Sequence, residues 1–132
     1  MPIAVASLLL SGCADEAQPV EAGGVTVLIA GSRSGGSDQR IVGTLREMDG
    51  CLGLELGENR WIAVFPEGSE AAEDGLAVTL SNGSELRVGD MIEASGDIYE
   101  HDDPPENAPT VPERCGELSA ALLTDPHVLE GE

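Results

Sequence analysis

The chain contains no lysine, and its 132 residues include a single Trp, a single Tyr and a single Phe. Six arginines against 25 acidic residues leave a formal net charge of -19. A polyanion of this kind repels phosphate backbones and anionic membrane surfaces, which argues against nucleic acid as a partner. The shortage of aromatics restricts any core to Val, Leu, Ile and Ala. High acidity with few aromatics is also a composition of disordered chains. Against that stand the 41% hydrophobic content and a clear strand pattern between residues 41 and 100, which point to a folded middle with solvated ends. The length suits one domain plus a tail.

The strand pattern is densest over residues 43–66. Leu52, Leu54 and Leu56 alternate with small or charged neighbours, the period of a half-buried strand. Trp61, Ala63 and Phe65 fall on one face of the next strand. Asp49-Gly50 and the segment 57–59 fold three short strands into a meander, and Pro66 ends it. On either side, Val25–Ala30 is β-branched and apolar and reads as a strand. Asn82-Gly83 between apolar runs signals a hairpin. Residues 69–75 make either one helical turn capped by Ser69 or a loop. Gly96, inside the strand 91–99, marks a bulge or a barrel corner. Residues 118–124 favour helix by composition, but closure of a barrel wants a strand, and strand is the expectation. The loop 31–38 is Gly-rich without the Lys-Ser/Thr pair of a phosphate cradle.

The N-terminus carries a separate message. Residues 2–10 form an apolar run of nine, about 14 Å as a helix and half of a ~30 Å bilayer core, too short to span a membrane. It has the length of a signal-peptide hydrophobic region closed by small residues. The tetrad Leu10-Ser11-Gly12-Cys13 resembles the bacterial lipobox. The resemblance implies that the Cys13 thiol receives a diacylglycerol, that residues 1–12 are cut away, and that the protein sits on the outer face of the cell membrane. No Arg or Lys precedes the run, so the expectation includes a translation start upstream of Met1. Residues 13–24 then serve as lipidated terminus and flexible polar tether.

With Cys13 lipidated, Cys51 and Cys115 remain as an even pair in an oxidising compartment, and a disulfide between them is expected. Free buried thiols or a redox pair are the alternatives, but no C-x-x-C spacing exists. The run from Leu86 to Gly96, a short strand, a Gly89-Asp90 turn and a longer strand, together with Gly43-Thr44-Leu45, resembles small OB-like barrels. Gly50-Cys51-Leu52, Phe65-Pro66 and the later Cys115 resemble small exported lipoproteins of unassigned function. The OB-like resemblance spans about residues 41–124 and implies an all-β fold, a small OB-like, partly open antiparallel β-barrel of five to six strands; with the strand at 25–30 the domain is expected over 25–124, and 125–132 is a tail.

Candidate sites are few. Trp61 with Arg60 is either ligand-facing, on the groove that OB-like barrels offer, or part of the core. His101, Asp102, Asp103 and Glu106 are the one cluster with metal-ligand chemistry. Its oxygen-rich character suits Ca²⁺ before Zn²⁺, although the spacing is not that of an EF-hand and a solvated acidic loop is the plainer reading. No Gly-x-Ser-x-Gly is present, and the only imidazoles are His101 and His127, so no catalytic residue is singled out and no enzyme is expected. No cofactor is expected either. The sequence supports a membrane-anchored, non-catalytic binding or structural module of the cell envelope, with a protein or glycan partner. A calcium-binding module using the loop 100–106 is the alternative.

Overall fold

The computed structural model describes residues 18–30, 39–100, 103 and 111–129. Short turns set the strand lengths. Asp49 and Gly50 both take positive φ (53° and 92°) and join β3 (Gln39–Met48) to β4 (Cys51–Leu56). This is the two-residue turn whose twist matches a hairpin, and Asp followed by Gly is suited to it. The Glu47 carboxylate accepts from the Gly50 N–H at 2.7 Å and steadies the turn. Gly57, at φ 63°, opens the next turn into β5 (Asn59–Phe65), with Leu56 and Asn59 as facing partners.

The meander closes into a barrel through the last two long strands, β9 (Met91–Tyr99) and β10 (Ala120–Val128). β4 pairs with β3 and β5, β3 with β9, and β9 with β10, all antiparallel. β10 returns to β5 in parallel register, Ala120 opposite Ile62 and Leu122 opposite Val64. Counting those five strands in chain order, the circuit is 1-2-3-5-4-1. That is a Greek-key barrel of OB-like order, the all-β class that the sequence pattern implies, with a parallel seam where antiparallel pairing throughout is expected.

β2 (Val25–Ile29) makes a sixth wall. The β4–β5 ladder stops at Gly53 opposite Ile62, and β2 fills the gap beyond it, pairing with Cys51 through Thr26 and with Val64 and Phe65 through Leu28 and Ile29. β1 (Gln18–Ala22) then pairs along β2 as a seventh strand. Residues 18–22 are therefore not part of a flexible tether. The physical reason is local: Gly23 and Gly24, at φ 58° and 84°, form a two-residue turn that sets Ala22 opposite Val25 and folds β1 back along β2. Glu21 accepts from the buried Thr26 hydroxyl at 2.9 Å and from Arg114 Nη1 at 3.1 Å, so a polar strand with a proline is tied to the sheet by its carboxylate. Pro19 is tolerated because β1 is an edge strand.

The connection between β5 and β9 holds a small second sheet of β6 (Glu70–Ala71), β7 (Ala77–Thr79) and β8 (Glu85–Arg87), where one turn of helix or a loop is expected over 69–75. Only Gly83 of the Asn82-Gly83 turn takes positive φ; the Asn82 side chain instead accepts from the Ser84 N–H at 2.9 Å. Val78, Leu80 and Leu86 from this sheet join the barrel interior, which also holds Val27, Leu45, Leu52, Leu54, Phe65 and Ile92. A second apolar cluster lies against the opposite face of β5. Ile62 and Val64 meet Cys51, Val111, Cys115 and Ala120 there. β5 is thus covered on both faces, which explains its unbroken burial from Ile62 to Phe65.

Two further expectations change. Residues 125–128 belong to β10 rather than to a tail, because the strand resumes after a bulge. Asp125 (φ 50°) and Pro126 together stand opposite the single residue Ala94, one extra residue between the pairs Thr124–Ser95 and His127–Glu93. A proline fits there since the bulged residue owes no ladder hydrogen bond. Gly96 lies opposite that region but carries no extra residue itself. Its β9 backbone passes so close to β10 that a Cβ would overlap the Leu122 carbonyl oxygen. The last of the alternating leucines, Leu56, is 43% exposed at the barrel end instead of buried.

Candidate functional site

β5 positions the two residues that sequence singles out, and it separates them. Adjacent strand residues point to opposite faces. Trp61 turns inward, half-buried, and packs against the interior cluster. It also lines a groove of about 240 Å³ at the barrel end with Leu56, Ile41, Ile98 and Arg40. Trp61 is therefore both core and groove wall. Arg60 turns outward. Its Nε lies 3.7 Å from Glu55, which Arg46 Nε approaches at 3.2 Å from the neighbouring strand. Exposed pairs of this kind contribute about 0–1 kcal/mol. Arg60 and Trp61 do not converge on one site.

Cys51 and Cys115 are joined by a disulfide, with Cα atoms 5.7 Å apart. Cys51 opens β4, and Cys115 closes the 3-10 turn 113–115 just before β10. The bridge lies in the second cluster, both residues buried, and it clamps the segment 111–118 over β5. Cys13 lies outside the described residues, as do His101, Asp102 and Glu106. Asp103 is exposed, and its N–H donates to the Glu100 carbonyl at 3.0 Å. Among the described residues, no three His, Cys, Asp or Glu side chains are grouped to hold a metal ion.

Two features come from outside the sequence candidates. On the outer face of β3, β9 and β10, the Glu93 carboxylate accepts from Arg40 Nε and meets His127 Nε2 at 3.1 Å. Those hydrogen bonds, from Arg40 first and His127 second, hold the Glu93 carboxyl below its usual range. Burial pushes the Tyr99 phenol up. The second feature is a larger concavity of about 570 Å³ at the opposite end of β5, where Pro66, the Ser81–Ser84 turn and the β10 bulge meet. The Asp125-Pro126 dipeptide was its only signal in sequence, since Asx-Pro marks turns rather than strand interiors.

No family model, no curated protein and no solved structure matches the chain. Its reading rests on its own residues.

Proposed function

We propose that this protein is an exported lipoprotein whose β-barrel acts as a non-catalytic binding or structural module of the cell envelope, held on the outer membrane face through Cys13. One observation carries the reading. The Cys51–Cys115 bridge is buried and clamps a β5 cover made from residues 111–118. Cytosolic thiol pools keep such pairs reduced, whereas exported proteins use them as staples. The lipobox-like tetrad supports the same compartment. Charge makes an anchor necessary in this reading, because a domain within a chain of net charge -19 is repelled by anionic headgroups. Acyl chains contribute about 0.8 kcal/mol per buried methylene, so two or three hold a protein stably. The groove beside Trp61, with Leu56 exposed at its edge, is the surface on which a protein or glycan partner finds an aromatic contact.

The experiment is metabolic labelling with a clickable fatty acid in a bacterial host, followed by fractionation. Wild type should carry label and partition with membranes, and Cys13→Ala should lose both. Membrane retention without label in the variant would sink the anchor, and two titratable thiols in the denatured, unreduced protein would sink the compartment.

A further inference from the structure

We propose that the groove beside Trp61 binds a short extended peptide of basic character, which adds to the barrel as a strand along the free edge of β3. The proposal rests on the reading of that groove as the partner surface and not on the anchor. β3 is paired unequally on its two sides. β9 runs beside it from Gln39 to Thr44, whereas β4 accompanies it only from Thr44 to Met48. The chain turns back after Leu56, which faces Asn59, and leaves β3 there. Among the described residues, no strand pairs with β3 on that side over residues 40–43.

Register identifies the backbone groups left over. The Leu45 N–H donates to the Asp90 carbonyl at 2.9 Å, and the Leu45 carbonyl accepts from the Gly89 N–H at 2.8 Å, so Leu45 addresses the β9 side. Backbone direction alternates along an antiparallel strand. Gly43 and Ile41 therefore address β9 as well, while Thr44, Val42 and Arg40 address the other side. Thr44 meets Glu55 there. Val42 and Arg40 meet no strand among the described residues, and both line the groove. Each offers one N–H and one C=O, and the two sets stand about 7 Å apart along the edge. An extended backbone matches that spacing.

The groove supplies the second half of such a site. Ile41, Trp61 and Ile98 belong to the interior cluster or pack against it, and Leu56 stands 43% exposed beside them. A residue of the added strand set opposite Ile41 shares its face, so the partner carries an apolar side chain there and turns its neighbours outward. At about 240 Å³ the groove suits single side chains and falls short of the range of small-molecule sites, about 300–1,000 Å³. Main-chain hydrogen bonds give affinity in this mode, and side-chain pockets give selectivity. Charge sets the sign of the partner. A chain of net charge -19 steers a cationic segment toward itself and repels a second copy. Arg40 does not reverse this, because its Nε donates to the Glu93 carboxylate.

The test uses the full chain carrying Cys13→Ala and the capped peptide Lys-Val-Thr-Leu-Thr-Val-Lys, read by amide NMR and by the fluorescence of the single Trp. In the free protein the Arg40 and Val42 amides should exchange rapidly with solvent, while those of Ile41 and Gly43 are protected; saturating peptide should protect all four. With the peptide's Leu opposite Ile41, its two threonines carry the N–H groups that meet β3, so N-methylation of both should weaken binding about tenfold or more. Val42→Pro removes an edge N–H without touching the β9 ladder and should weaken it comparably, and Leu56→Ser, at an exposed position, should weaken it several-fold. Protection of the Val42 amide without peptide, whether by another segment of the chain or by a second copy, would overturn the proposal. So would equal binding of the N-methylated peptide, or binding unchanged by Val42→Pro. A response of Trp61 to a neutral oligosaccharide such as chitotriose, with none to the peptide, would overturn it and leave the groove reading standing; no response to either would overturn both.

Discussion

Removal of the disulfide tests the fold most directly. Cys51 and Cys115 are 64 residues apart, so the bridge takes a large loop out of the unfolded ensemble. The chain-entropy relation gives about 4 kcal/mol for a loop of that size, a model-dependent figure. A domain of this kind has a total stability of about 5–15 kcal/mol. For roughly 100 ordered residues, 4 kcal/mol corresponds to a fall in Tm of about 15–20 °C. The structure also says where loosening starts. The bridge clamps the cover over Ile62 and Val64, and the Ile62 N–H donates to the Ser119 carbonyl at the edge of that cover. Far-UV circular dichroism melts of the oxidised protein, the reduced protein and Cys51→Ala/Cys115→Ala should show the reduced form and the variant unfolding together, well below the oxidised form. Hydrogen exchange on the variant should show the Ile62 amide deprotected early. A Tm change of less than about 3 °C would refute the reasoning, because the cover would then hold without its staple.

Three further outcomes follow from particular contacts. Gly96→Ala should cost about 3 kcal/mol or more in urea unfolding, since its Cβ would collide with the Leu122 backbone, whereas Gly57→Ala, in open space at φ 63°, should cost about 1–2 kcal/mol. Glu21→Ala strands the Thr26 hydroxyl, which is 1% exposed, and should cost about 1–2 kcal/mol, against about 0.5 or less for the exposed turn residue Glu73. Glu93 is held below its ordinary 4.5 by Arg40 and His127, so its carboxylate stabilises the fold above that value and ceases to as pH falls through the lowered one. The stability gap between wild type and Glu93→Gln, measured by denaturant titration, should close as the pH falls below 4.5; a gap that stays fully open at strongly acid pH refutes the assignment.

Local chemistry made much of this fold legible. Asp49-Gly50 and the glycine at 57 dictate their turns, the strand periods of β3 and β9 survive intact, and the two later cysteines find each other. Features fixed by distant partners were not legible. β1 looks like a polar spacer by composition, although the local Gly23-Gly24 turn folds it onto β2; only the tie from Glu21 to Arg114, 93 residues away, was hidden by distance. The second half of β10 looks like a tail because Asp125-Pro126 interrupts its period, although the ladder resumes at His127. β5 gives no alternation because both of its faces are covered. Of the two β5 candidates, pattern puts Trp61 on one face with Ala63 and Phe65. That Arg60 faces away from it follows from strand geometry, but that it is held by Glu55 required the register of three strands.

The early start of β1 has a geometric consequence. From Cys13 to Gln18 is five residues, at most about 17 Å of chain, where a leash running to Val25 would have reached about 42 Å. A lipidated Cys13 would therefore keep the barrel almost resting on the bilayer. Gln18 sits beside Ile29, and Ile29 beside Phe65, so that pole would face the bilayer. With Cys13 lipidated as proposed, the Trp61–Leu56 groove, at the other end of β5, would look away from the bilayer, and a docking partner would reach it from the aqueous side rather than along the lipid surface.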